Sequence, residues 1–167
     1  IFYFYNSHLL KKYKFASTYK LISTTDDEII EEFESPKFFI ETLKQFDFNG
    51  DEIDKIFYTV KLILELGNIH NSESMIQILN QISNDLTILG LSTEKLLETF
   101  TVKHLKIGNE IITKTLEYRD SEVVIKSFSE DIYSELFDTI INKINAKLGI
   151  TTDKFVSILD IFGFEIF

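Results

Sequence analysis

The residues best spaced to do chemistry lie near the end of the chain. A nearly continuous apolar run, Phe155-Val156-Ser157-Ile158-Leu159, reads as a strand inside a covered sheet and leads directly into Asp160-Ile161-Phe162-Gly163. The carboxyl ends of strands in α/β sheets are where phosphates bind. A carboxylate at that point can hold Mg2+, usually through water. A glycine a few residues later lets a bare backbone N–H approach a phosphate oxygen. Asp160 and Gly163 meet both requirements. Asp-x-x-Gly is nevertheless common, and a plain strand followed by a turn satisfies it equally well, so spacing alone leaves both readings open.

Other candidates carry less. Asp47-Phe48-Asn49-Gly50-Asp51 starts like a calcium loop, but its glycine falls two positions early and Tyr58 stands where a bidentate Glu is needed. A turn with a helix cap is expected there. His8, His70 and His104 are scattered without ligand spacing. Lys11, Lys12 and Lys14 read as a solvated turn. There is no cysteine, which excludes disulfides and thiolate chemistry.

Composition sets the frame for these residues. With 167 residues, 44% hydrophobic and 26% charged, the chain can bury a core. Its net charge of -10 gives no general attraction to nucleic acid or anionic lipid. The apolar stretch Ile1 to Tyr5 is too short to span a bilayer, and no N-x-Ser/Thr acceptor is present. The expectation is a reducing, cytoplasmic setting, with no nucleic-acid or membrane partner. The chain starts at Ile1 and stops at Ile166-Phe167 in mid-apolar pattern, as expected of a piece of something longer.

The elements that must position the candidates are mostly helical. Phe2 to Leu10 reads as the tail of a helix, and Asp26-Asp27-Glu28 opens another that runs to about Phe33. Ser35-Pro36 starts a third, with Phe39, Leu43 and Phe46 on one face. After a turn at Asn49-Gly50-Asp51, the spacing of Ile53, Ile56, Phe57, Val60, Ile63 and Leu64 gives an amphipathic helix. Gly67-Asn68 is expected to stop it as residues tolerant of the left-handed conformation do. Two further helices are expected at Ser74 to Leu89 and Ser92 to about Phe100, split by Gly90.

Leu105-Lys106-Ile107, Gly108-Asn109 and Glu110-Ile111-Ile112-Thr113 read as a β-hairpin within Leu105 to Leu116. A long helix, Ser121 to Leu148, follows and ends at Gly149. Its stripe of Val124, Phe128, Ile132, Leu136 and Ile140 is widened by Ile125, Tyr133, Phe137, Ile141 and Ile144, which predicts burial on more than one side. A lone C-terminal strand needs partners that the chain does not offer.

The longer string Ser157 to Phe167 closely resembles the myosin strand plus switch II. The resemblance runs in family order through nearly the whole chain. Phe2-Tyr3-Phe4-Tyr5 with Leu9-Leu10 resembles the segment after switch I, and Asp26-Asp27 to Phe33 the next helix. Ile63 to Ile69 resembles the Leu-Gly-Asn-Ile helix end, and Leu105 to Glu110 the actin-contacting cardiomyopathy loop. Tyr133 to Phe137 with Ile144-Asn145 resembles the long helix before the strand.

What this implies is a mainly α fold. It would be the helical part of a myosin head, whose parent is a P-loop NTPase-type α/β protein, with a small hairpin and one C-terminal core strand. Residues 1–153 would form a helical actin-binding unit with the hairpin near 105–114, and residues 154–167 the strand plus switch II. The resemblance places Asp160 near Mg2+ through water, gives Gly163 an N–H to the γ-phosphate of ATP, and pairs Glu165 with an Arg of switch I that this chain does not contain. No G-x-x-x-x-G-K-[ST] is present either. Phosphoryl transfer needs all these parts together, so the piece alone is expected to be inactive and to aggregate through exposed apolar surface.

At the second site the resemblance implies actin contact by His104, Lys106, Glu110 and Lys114. The family carries a regulatory position sixteen residues before an acidic position on the long helix. Counted back from Lys126 it is Glu110, a fixed negative charge needing no phosphorylation. The chain departs from the family pattern in three places: Lys126 replaces the expected acid, Glu130 the expected Lys, and Asp47 stands where a Gly is usual before Phe48. Two functions remain. One is part of an actin-based, ATP-hydrolysing motor whose partners are the actin filament and the rest of the heavy chain, in a cytoskeletal location. The other is a non-catalytic myosin-like helical module that binds actin or another protein.

Overall fold

The computed structural model describes residues 12–15, 19, 36–108 and 110–149. The expected elements at Phe2 to Leu10, Asp26 to Phe33 and Phe155 to Leu159, and the Ser35 cap, lie outside the described residues. Among the described residues the fold is mainly helical with one two-stranded antiparallel sheet, as expected.

Helix α1, Pro36–Gln45, buries Leu43 and packs Phe39 against the same cluster, and Phe46 follows just past its end. The chain then turns through Asp47, whose φ of 62° is left-handed. The Asp47 N–H donates to the Lys44 carbonyl and the Phe48 N–H to the Leu43 carbonyl, both at 3.1 Å. This is a Schellman cap, completed by Phe48 and Leu43 sharing one core cluster.

Helix α2, Gly50–Gly67, opens with the cap expected there. The Glu52 N–H donates to Asn49 Oδ1 at 2.9 Å, and the Asn49 N–H donates back to the Glu52 carboxylate at 2.8 Å. The helix does stop at Gly67-Asn68, but not through the left-handed conformation. Asn68 stays right-handed, at φ −83° and ψ −11°, and its N–H reaches the carbonyls of Glu65 and Leu66. Ten consecutive or near-consecutive positions of α2 are buried, Lys61 and Glu65 among them. Both charges are held: Lys61 Nζ lies 2.6 Å from Asp85, and the Tyr19 hydroxyl donates to Glu65 at 3.2 Å.

The segment expected as one helix from Ser74 to Leu89 is two, α3 at Ser72–Gln81 and α4 at Ser83–Ile88. They break at Ile82, whose φ −95°, ψ 12° is bridge geometry. Met75, Leu79, Ile82 and Leu86 all reach one core across the break, so the apolar period is unbroken while the backbone bends. A second Schellman cap ends α4. The Gly90 N–H donates to Thr87 and the Leu91 N–H to Leu86, with Gly90 at φ 75°. Helix α5, Thr93–Thr101, runs directly into strand β1, Val102–Ile107, which pairs with β2, Glu110–Thr115.

Helix α6, Tyr118–Leu148, ends at Gly149 in the left-handed conformation. It lies antiparallel to α2. The first core joins Leu62 and Leu66 of α2 to Ile125, near the start of α6, together with α3 to α5. The second joins Ile53, Ile56 and Phe57 to Ile140, near its end, with α1. Two ion pairs fix that end: Lys143 with Glu52, and Lys147 with Asp47. The Lys143 ammonium also sits 4.6 Å from the Phe48 ring centre. One expectation holds only in part on α6. The first stripe packs inward with Ile125 and Ile144 of the widening one, but Tyr133, Phe137 and Ile141 are exposed, Phe137 by 53%.

Candidate functional site

The expected phosphate-site residues Asp160, Gly163 and Glu165 lie outside the described residues. The expected actin-contact residues all lie within them, on the hairpin. The hairpin forms because β-branched residues recur on both strands, at Val102, Ile107, Ile111, Ile112, Thr113 and Thr115. The two-residue connection Gly108-Asn109 closes it, and Gly108 adopts φ 62°, which a two-residue turn favours. At the base, the Leu116 N–H donates to the Thr101 carbonyl at 2.7 Å, tying the ribbon to the end of α5. The strand starts three residues before the expected Leu105.

The register decides which side chains act together. Lys103 faces Lys114 and Leu105 faces Ile112, and these two pairs lie on one side of the ribbon with Glu110, whose backbone partner is residue 107. Val102 with Thr115, His104 with Thr113, and Lys106 with Ile111 lie on the other. The four expected contact residues are therefore split. Glu110 and Lys114 share one face; His104 and Lys106 share the opposite face.

His104 is not a free tip residue. Its Nδ1 lies 3.3 Å from the Thr113 hydroxyl and its Nε2 lies 3.7 Å from the Glu98 carboxylate on α5. Both contacts are on exposed surface, one across the hairpin and one to the preceding helix. By contrast, Lys103, Lys106, Glu110 and Lys114 are exposed and make no ion pair among the described residues. Every residue of β2 is exposed, and Ile111 is exposed by 70%. A ribbon that offers apolar and charged side chains together, with its backbone already paired, is suited to protein contact rather than to bond-making chemistry. Lys103 also lies on the ribbon, opposite Lys114, and was not among the expected contact residues because the strand was expected to begin after it.

A groove of about 550 Å³ lies between α2 and α6, floored by Ile63, Leu66, Ile69 and Ile125. None of the expected site residues lines it. Its rim holds two of the departures from the resemblance, Lys126 and Glu130, which pair with each other at 3.9 Å one helical turn apart. Among the described residues no cluster of His, Asp or Glu is arranged to hold a metal, and no helix is long and apolar enough to cross a membrane.

Comparison with known proteins supplies the remaining evidence. A family model described as the myosin head (motor domain) matches residues 5–167. Myosin-14 of Arabidopsis thaliana is 30% identical over 95% of this chain, Myosin-2 of the same plant 28% over 93%, and Myosin-1 of Saccharomyces cerevisiae 27% over 96%. The chain spans only 9% to 14% of the length of these relatives. With the family match running from residue 5 to residue 167, the chain belongs to the myosin head (motor domain) family.

Proposed function

We propose that the chain is part of an actin-based, ATP-hydrolysing motor, and that it supplies an actin-contacting loop and switch II. On this reading residues 1–153 are the helical actin-binding unit and residues 154–167 the core strand with switch II. The observation that carries the proposal is the hairpin, an exposed two-stranded ribbon with Glu110 at its free end, in a chain of this family. Glu110 provides a permanent carboxylate at the regulatory position, so actin affinity needs no phosphorylation of the loop.

Mg2+-ATP, when bound, supplies the phosphoryl group whose transfer to water drives the motor. Asp160 would hold the metal through water, the Gly163 N–H would be the donor to the γ-phosphate, and Glu165 would pair with an Arg supplied by the rest of the heavy chain. The setting is cytoplasmic and cytoskeletal, and the partners are the actin filament and the rest of the heavy chain.

The test is cosedimentation with filamentous actin of a motor head that carries this chain, with and without Mg2+-ATP. The wild-type head is expected to pellet and ATP to release it, while Glu110→Lys weakens pelleting. Gly163→Ala is expected to abolish actin-activated phosphate release. A head that never pellets would refute the motor reading. Pelleting without any ATP turnover, in a head containing all its phosphate-binding parts, would favour a non-catalytic actin-binding module instead.

A further inference from the structure

The hairpin has two exposed faces with different chemistry, and the difference selects one of them. The first carries Lys103 directly opposite Lys114, then Leu105 opposite Ile112, then Glu110 next to the turn. Like charges directly opposite in a ribbon destabilise it. Neither ammonium is neutralised by an ion pair among the described residues. The arrangement costs stability and gains nothing inside the chain. On the second face the charge is smaller and partly engaged: Lys106 stands alone, and His104 is turned to Glu98.

Glu110 does not cancel the lysine pair. It is four residues from Lys114 along β2, which at about 3.4 Å per residue is roughly 14 Å. That exceeds the Debye length of about 8 Å at physiological salt, so a partner sees a positive end, an apolar middle and a negative tip.

We propose that the hairpin docks through the Lys103–Lys114 face alone, and that the opposed lysines are its electrostatic contact with an acidic protein surface. The face fits a partner with clustered carboxylates next to an apolar patch. The Leu105–Ile112 pair, each side chain more than a third exposed, supplies the dry contact between the two charged ends. The inference rests on the actin reading above and adds to it which face is used and which residues read the partner's charge. Lys103 belongs to the contact, and His104 and Lys106 do not.

The experiment uses a motor head carrying this chain, with filamentous actin as the acidic surface. Affinity is measured by cosedimentation across a salt series for wild type, Lys103→Glu, Lys114→Glu and Lys106→Glu. Lys103→Glu and Lys114→Glu are each expected to weaken binding about tenfold and to flatten its salt dependence. Lys106→Glu is expected to stay within about twofold. A folding readout separates binding from structure. Either single Lys→Glu change on the first face puts a carboxylate opposite the remaining lysine, so thermal stability should hold or rise while binding falls. If Lys106→Glu weakens binding as much as Lys103→Glu, the face assignment is wrong although actin binding stands. A wild-type head that does not bind actin overturns both.

Discussion

Replacing Asp47 by glycine and by alanine is expected to separate the two variants in a direction opposite to helix propensity. Asp47 occupies the left-handed position of the Schellman cap on α1, at φ 62°. An L-residue there costs about 1–2 kcal/mol relative to glycine, less for Asp, which tolerates the conformation. Glycine gives back about 0.4–1 kcal/mol through its freer unfolded chain. Both substitutions lose the ion pair with Lys147, whose side chains are about half exposed, so that loss of about 0–1 kcal/mol cancels between them. The Gly variant should therefore exceed the Ala variant by about 1 kcal/mol and lie close to wild type.

In a chain of this size that difference is about 2–4 °C in Tm. At an interior helical position the order is the reverse, with Ala ahead of Gly by about 1 kcal/mol, so the sign is diagnostic. Gly90 is the internal control: it holds the same position in the cap on α4 at φ 75°, with open space around it, and Gly90→Ala should cost about 1 kcal/mol for conformation alone. Urea unfolding followed by far-UV circular dichroism measures all four proteins. An Asp47→Ala variant as stable as Asp47→Gly would refute the assignment of strain to this residue.

Other outcomes are expected on the same assay. Lys126→Glu places a third carboxylate between Glu122 and Glu130 on one face of α6 and should cost about 0.2–0.5 kcal/mol per new like-charge pair. Adding Glu130→Lys restores the 126–130 pair but leaves Glu122 facing a carboxylate, so it should recover about half, and no recovery would mean that the pair does not interact. Tyr13 is buried and donates to Asp54 at 2.6 Å, which together hold its phenol up at about 12. Unfolded tyrosine titrates near 10, so the stabilisation is complete below that pH and is lost as pH rises from about 10 to 12. The stability gap between wild type and Tyr13→Phe should close across that window, and a constant gap would contradict the reading. Phe137→Ser, at an exposed site on α6, should raise soluble yield and leave Tm nearly unchanged. Phe100→Ala, at a site with no exposure and an edge-on contact with Phe128, should cost about 3–5 kcal/mol.

Local signals carried most of the fold. The Asn49-Gly50-Asp51 turn, the Gly108-Asn109 pair and Gly149 marked a helix start, a hairpin and a helix end where the backbone needs them. The break at Ile82 was not legible, because Met75, Leu79, Ile82 and Leu86 keep a helical period straight through it. Periodicity reports which residues seek a core, not whether the backbone bends to bring them there. For the same reason Tyr133, Phe137 and Ile141 of α6 were readable as apolar but not as exposed, since cover depends on neighbours outside the helix. The candidate contact was half legible. The resemblance pointed to the hairpin, but the split between His104 with Lys106 and Glu110 with Lys114 follows only from the register, which also sets Lys103 opposite Lys114.

The departures from the family pattern are informative because each has an answer elsewhere in the chain. Lys126 and Glu130 exchange the expected signs, yet the one-turn ion pair survives with its polarity reversed. Asp47 takes a position suited to glycine, and its carboxylate meets Lys147 in the last turn of α6. Both substitutions preserve an interaction of the fold rather than a particular residue. If position 126 or 130 had to present a given charge to a partner, the exchange would reverse that charge, and the surviving pair would be no remedy. Lys126 and Glu130 therefore serve the stability of α6, and on the proposed reading partner recognition falls to the hairpin. In the double exchange Lys126→Glu with Glu130→Lys, actin affinity in cosedimentation should then match wild type within about twofold. A large gain or loss would move these residues from the frame of the helix into the contact.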